Sequence, residues 1–69
     1  MPRVLIIDDQ KGVRTMMAMV LRVNRFEVEE AESGAAGLKA FAESSFDAAI
    51  VDIFLGDASG VDVIAVHVQ

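Results

Sequence analysis

Val4-Leu5-Ile6-Ile7-Asp8-Asp9 and Phe46-Asp47-Ala48-Ala49-Ile50-Val51-Asp52 are the two stretches that decide the fold of this chain. Val4–Ile7 and Ala48–Val51 are short, continuous runs of β-favouring apolar residues, and each stops at aspartate. Runs of this kind suit strands buried on both faces, as in a parallel sheet. Just after the first stretch, Val13, Met16, Met17, Val20 and Leu21 fall at i, i+3, i+4, i+7 and i+8, a single helical stripe whose methionines read as core. Asp9 or Gln10 precedes that helix, and Asn24, a residue that tolerates the left-handed conformation, is placed to stop it. Phe26 to Ala31 sets Phe26, Val28 and Ala31 against Glu27, Glu29 and Glu30, with Glu32 following. This is the pattern of an edge strand with one wet face, its glutamates serving solubility and discouraging edge-to-edge pairing. Ser33-Gly34 turns the chain into a small-residue helix, Ala35 to Glu43, with Leu38, Phe41 and Ala42 expected to face inward.

Strand, helix, strand, helix, strand with short connections implies right-handed crossovers and an α/β fold, a parallel sheet with helices on both faces. The second buried strand, Phe46 to Val51, is expected to end at Asp52, followed by a glycine-bearing loop from Ile53 to Gly60. The last segment reads two ways. Val61, Ile64, Ala65 and Val68 share a helical face, yet four valines and an isoleucine in eight residues also suit a strand. The helix is the preferred reading.

Composition bounds the function. At 69 residues the chain is one small domain or part of one, and it has no cysteine for disulfides or a thiolate zinc site. Hydrophobic residues make up 54% and mean hydropathy is +0.45, greasy for so small a unit and a hint of a partner surface. A net charge of −5 and a pI near 4.5 leave no basic footprint for nucleic acid. No run has the length of a membrane span, and Met1-Pro-Arg-Val lacks the layout of a signal peptide, so a cytoplasmic location is expected.

In open parallel sheets ligands bind beyond the carboxyl ends of the strands. Two greasy strands ending in aspartate would bring Asp8, Asp9 and Asp52 together if they are neighbours. Mutual repulsion of three carboxylates is relieved by a hard divalent cation, and Mg²⁺ favours a few carboxylates, oxygen ligands and retained waters. The competing explanation is that Asp9 simply caps the following helix.

These residues resemble the receiver domain of bacterial response regulators. Val4–Asp9 looks like that family's first strand and acidic pair. Val28-Glu29-Glu30-Ala31-Glu32-Ser33-Gly34 with Gly37-Leu38 looks like its second strand and the start of its second helix. Phe46 to Leu55 is similar to the phosphoacceptor strand, and Gly60 falls where the family has a loop glycine. The resemblance implies a flavodoxin-like sheet of order 2-1-3-4-5, here incomplete: three strands, two helices and the start of a third helix. Residues 1–69 would be a partial receiver domain lacking the family's fourth and fifth strands, with their phosphate-reading hydroxyl and lysine. Neither Lys11 nor Lys39 lies at a matching motif.

By the same resemblance, Asp52 would accept a phosphoryl group from a phosphohistidine on a sensor histidine kinase. Asp9 would bind Mg²⁺ directly, Asp8 partly through water, and the Phe54 backbone carbonyl would add a ligand. The activity would be self-phosphorylation in two-component signal transduction, without turnover of a separate substrate. Gly56 stands where a proline is usual, and Arg25 replaces a frequent glycine, which leaves Asn24 as the expected helix stop. His67 reads as a surface or interface residue.

Three alternatives compete with this reading. A haloacid-dehalogenase-like phosphatase needs a second aspartate two positions past the nucleophile, where Gln10 or Lys11 stands. A dinucleotide-binding unit needs a glycine-rich turn after the first strand, and there is none. A non-catalytic module that assembles through its apolar surface is the alternative from another class. If the chain stops at the third strand of a 2-1-3 sheet, that strand is a bare edge, which points to a homodimer or to exchange of the Val61–Gln69 segment.

Overall fold

The computed structural model describes the backbone of residues 1–54 and 61–67 and the side chains of residues 1–51. The elements in chain order are β1 (Arg3–Ile7), α1 (Lys11–Val23), β2 (Glu27–Ala31), α2 (Gly34–Glu43), β3 (Ala48–Phe54) and β4 (Val61–His67). The sheet order is β2-β1-β3-β4, with β1 parallel to both β2 and β3. This is the β-α-β-α-β flavodoxin-like arrangement, incomplete relative to a full receiver.

β1 is central to both halves of the core because successive side chains of a strand point to opposite faces. Leu5 packs with Ala31, Phe46 and Ala49 on the α2 side, joined by Ile7, Ala36 and Ala40. Val4 and Ile6 pack with Ala18 on the α1 side, joined by Met17, Leu21, Phe26, Val28 and Ile50. Leu5 and Ile6 are fully buried, and each contributes about 1.5–3 kcal/mol by leaving water. At its start β1 is clamped to the residues before β3. The Arg3 amide donates to Asp47 Oδ2 (2.7 Å) and the Asp47 amide to the Arg3 carbonyl (2.8 Å). The Arg3 guanidinium lies 5.0 Å from the centre of the Phe46 ring.

The helices sit differently from the periodicity reading. In α2 the sheet-facing residues are Ala36, Gly37 and Ala40; of the three expected to face inward, Phe41 stacks its ring on the core Phe46 with centroids 6.2 Å apart, while Leu38 is 73% exposed and Ala42 is exposed. Close approach is the reason, since a Cβ on Gly37 would overlap the Ile7 side chain. Small residues let the helix backbone sit against the strand, and the larger apolar ones flank the contact. In α1 the buried position is Ala18, while Met16 and Val20 are mostly exposed. That stripe straddles a boundary, with Met17 and Leu21 in the core and Met16 and Val20 beside an open groove next to Ile50.

The stop of α1 also differs. Arg25, not Asn24, carries the left-handed backbone (φ 68°). The Phe26 amide donates to the Leu21 carbonyl and the Arg25 amide to the Arg22 carbonyl, the paired bonds of a Schellman motif. Asn24 has φ −90° and acts through its side chain, whose Nδ2 donates to the Val20 carbonyl at 2.8 Å. Two orphan carbonyl problems are thus solved by two residues.

The third difference is at the end of the chain. Val61–His67 is a strand, not the start of a third helix, and it pairs antiparallel with β3 from Phe54↔Val61 to Ala48↔His67. β-branched content prevails over helical spacing because an unpaired ladder lies beside it, so the expected bare edge of β3 is covered. The same pairing carries β3 to Phe54, two residues past Asp52. The expected roles of Gly56 and Gly60 lie outside the described residues. Among the described residues no helix is long and apolar enough to cross a membrane.

Candidate functional site

The carboxyl end of β1 is where a polar group is forced into an apolar sheet. The Asp8 amide donates to the Ala31 carbonyl at 3.0 Å, extending the β1–β2 ladder one residue past Ile7. That bond pulls Asp8 inside: it is 1% exposed, and it is the buried charged residue among those described. Its Oδ1 accepts from the Gln10 amide at 2.8 Å, forming a side-chain turn into α1. Its Oδ2 is buried and, like Glu29 Oε2, has no hydrogen-bond partner among the described residues. An unpartnered buried carboxylate oxygen is expensive and calls for a ligand.

Asp9 is exposed, and it does not cap α1. The N-cap is Gln10, without a side-chain cap bond. The capping explanation for Asp9 therefore falls away, leaving its carboxylate free of that duty. Across the sheet, β1 and β3 pair in register at Ile7↔Val51, so the next positions, Asp8 and Asp52, are neighbours on adjacent strands. Asp52 also pairs with Val63 on its other side. The side chains of Asp52, Phe54 and His67 lie outside the described set. Among the described residues, no group of three carboxylate or imidazole side chains is assembled for a metal; Asp8 and Asp9 are the two described members of the expected set.

Behind Asp8 stands a cation that sequence reading missed. Arg14 Nη1 donates to the Asp8 backbone carbonyl at 2.8 Å, while its Nε lies 3.3 Å from Glu30 Oε1. Glu30 also meets Arg22 Nη1 at 3.4 Å, and Arg22 Nη2 donates to the Val28 carbonyl. Glu30 is therefore structural as well as solubilising. The available signal was an arginine one turn into a helix that follows two aspartates, opposite a glutamate-rich strand.

The sequence profile of the response regulator receiver domain matches residues 4–66. The chain belongs to the response regulator receiver family. This receiver is 39% identical over 64 residues to the transcriptional regulatory protein KdpE of Mycobacterium tuberculosis, covering 93% of the chain and 28% of that protein. It is 38% identical over 63 residues to the transcriptional regulatory protein PrrA of Mycobacterium bovis, 91% of the chain and 27% of that protein. The CAI-1 autoinducer sensor kinase/phosphatase CqsS of Vibrio cholerae is 30% identical over 60 residues, 87% of the chain and 9% of that protein. The receiver thus spans less than a third of the length of these curated relatives. No solved structure gives a significant match.

Proposed function

We propose that residues 1–69 form a cytoplasmic partial receiver module that accepts a phosphoryl group on Asp52 from a phosphohistidine of a sensor histidine kinase. The observation that supports it most is the buried Asp8 carboxylate with one oxygen unpartnered, one register step from the position of Asp52. The donor set is all oxygen, as a hard divalent cation requires. Asp9, Asp52 and the Phe54 carbonyl would hold Mg²⁺, with Asp8 acting partly through water. Bound there, the ion supplies neutralisation of the charge on the transferring phosphoryl oxygens.

The chain's own residues do the rest. One Asp52 carboxylate oxygen forms the new bond to phosphorus as the phosphorus–nitrogen bond breaks. The imidazole leaves with that bonding pair and takes up a proton, and Asp52 becomes an acyl phosphate. Asp8 keeps the acidic corner ordered through its bonds to the Gln10 and Ala31 backbones. Incubation with acetyl phosphate and Mg²⁺, followed by intact-mass and peptide mapping, tests the assignment. A hydroxylamine-labile label on Asp52 is expected, at low stoichiometry because no lysine lies at a matching motif. Label that survives Asp52→Asn, or that maps to a serine, would falsify the nucleophile assignment.

A second reading, an interaction module that forms a homodimer, rests on two open apolar grooves. One is lined by Met16, Met17, Val20, Leu21 and Ile50. The other, on the opposite face, includes Ile7, Leu38, Phe41 and Val51. Absence of any label on a folded chain, together with a stable dimer, would favour it.

A further inference from the structure

We propose that Arg14 is a positioning residue for the acidic corner, holding Asp9 in place through the peptide plane it shares with Asp8; the inference rests on the cation-binding reading above. The Arg14 side chain is only 12% exposed, and it bridges three parts of the fold: α1, the Asp8 turn and β2. A guanidinium is rigid and planar, so one group can serve Glu30 through Nε and the Asp8 carbonyl through Nη1 at once. The peptide unit is itself planar, running from the Asp8 Cα through its carbonyl to the Asp9 Cα. A hydrogen bond that fixes the direction of the Asp8 carbonyl therefore also fixes where the Asp9 Cα stands, and the Gln10 amide held by Asp8 Oδ1 constrains the peptide plane on its other side.

Glu30 completes the device. An unneutralised arginine beside a cation site would repel the ion, and the 3.3 Å contact with Glu30, a carboxylate shared with Arg22, offsets part of that charge. Arg22 supplies an internal control. It touches the same Glu30 at 3.4 Å and is 53% exposed, but its other bond goes to the Val28 carbonyl and not to Asp8.

The sign of the effect separates geometry from charge. If Arg14 acted by charge alone, Arg14→Met would tighten cation binding and Arg14→Lys would leave it unchanged. As a positioning residue it gives the opposite result: a lysine keeps the charge but cannot span both partners. Calorimetric titration with Mn²⁺ is expected to show about tenfold weaker binding for both Arg14→Lys and Arg14→Met, with Arg22→Met within about twofold of wild type. Tighter binding in Arg14→Met, or unchanged binding in Arg14→Lys, overturns the proposal. A second measurement needs no metal. In EDTA, hydrogen exchange at the Gln10 amide, which is held by Asp8 Oδ1, should speed up several-fold in Arg14→Lys and stay unchanged in Arg22→Met. Unchanged Gln10 protection in Arg14→Lys overturns the positioning role whatever the metal does. Faster exchange in a chain whose wild type binds no Mn²⁺ sinks the cation reading and leaves the strut intact.

Discussion

Replacing Asp8 by asparagine should stabilise the metal-free chain. The carboxylate is 1% exposed and has one oxygen, Oδ2, without a partner among the described residues. Asparagine keeps an oxygen for the Gln10 amide and puts a neutral amide nitrogen where the unpaired charged oxygen was. An unsatisfied neutral group costs about 1–3 kcal/mol when buried, and a charged one costs more. The difference is set at about 1–3 kcal/mol in favour of Asp8→Asn. In a domain of this size each kcal/mol moves the melting temperature by about 4–8 °C, so a rise of roughly 5–20 °C is expected in EDTA. The chain has neither tryptophan nor tyrosine, so far-ultraviolet circular dichroism is the natural probe. Magnesium should narrow the gap, because a ligand at a hundred times its Kd adds about 2.7 kcal/mol to the form that binds it, and the variant binds it less well. An Asp8→Asn chain no more stable than wild type in EDTA would show that the buried oxygen carries no penalty, and the main support for a cation site would be gone.

Other outcomes follow from the same geometry. Asp9→Asn should remove most Mg²⁺ binding in a calorimetric titration, and equal affinity in the two chains would refute the ligand assignment. Arg25→Gly should stabilise by about 0.5–1 kcal/mol, since relief of a left-handed side-chain residue, about 1–2 kcal/mol, exceeds the entropy cost of glycine. A urea midpoint that falls instead of rising would contradict the Schellman reading of α1. Light scattering at micromolar concentration should give a mass above that of one 7.4 kDa chain, because both grooves beside β3 are apolar and open. A well-folded species of single-chain mass would refute that expectation.

What could be read from the sequence was whatever depends on runs and alternation. Val4–Ile7 and Ala48–Val51 are apolar throughout, as strands inside a sheet with helices on both faces are, and a pattern with no polar face has few interpretations. The neighbouring positions of Asp8 and Asp52 follow from the same logic, since two strands paired in parallel with Ile7 opposite Val51 bring the residues that come next together. Faces of helices were harder. A stripe marks what avoids water but not how closely the helix approaches, and it was Gly37 and Ala18 that set the contact, leaving Leu38 and Val20 outside. Residues 61–67 show a different limit: their helical and strand patterns overlap, and the deciding factor was an unpaired ladder on β3. Arg14 was silent because its role depends on the direction of one carbonyl, which no periodicity records.

The two ladders of β3 differ in how far apart along the chain their partners lie. Phe54 and Val61 face each other across a short reversal, whereas Arg3 and Asp47, which join β1 to β3, are 44 positions apart. Hairpins close in about 1–10 μs, and pairings between distant segments carry a larger loop-closure cost and come later. The β3–β4 hairpin is therefore expected to form before the β1–β3 ladder. The order has a consequence for assembly. Val4 to Ile6, which end with almost no water around them, need both the β2 and the β3 ladder to be covered, and until the second one closes they remain a sticky face of the chain.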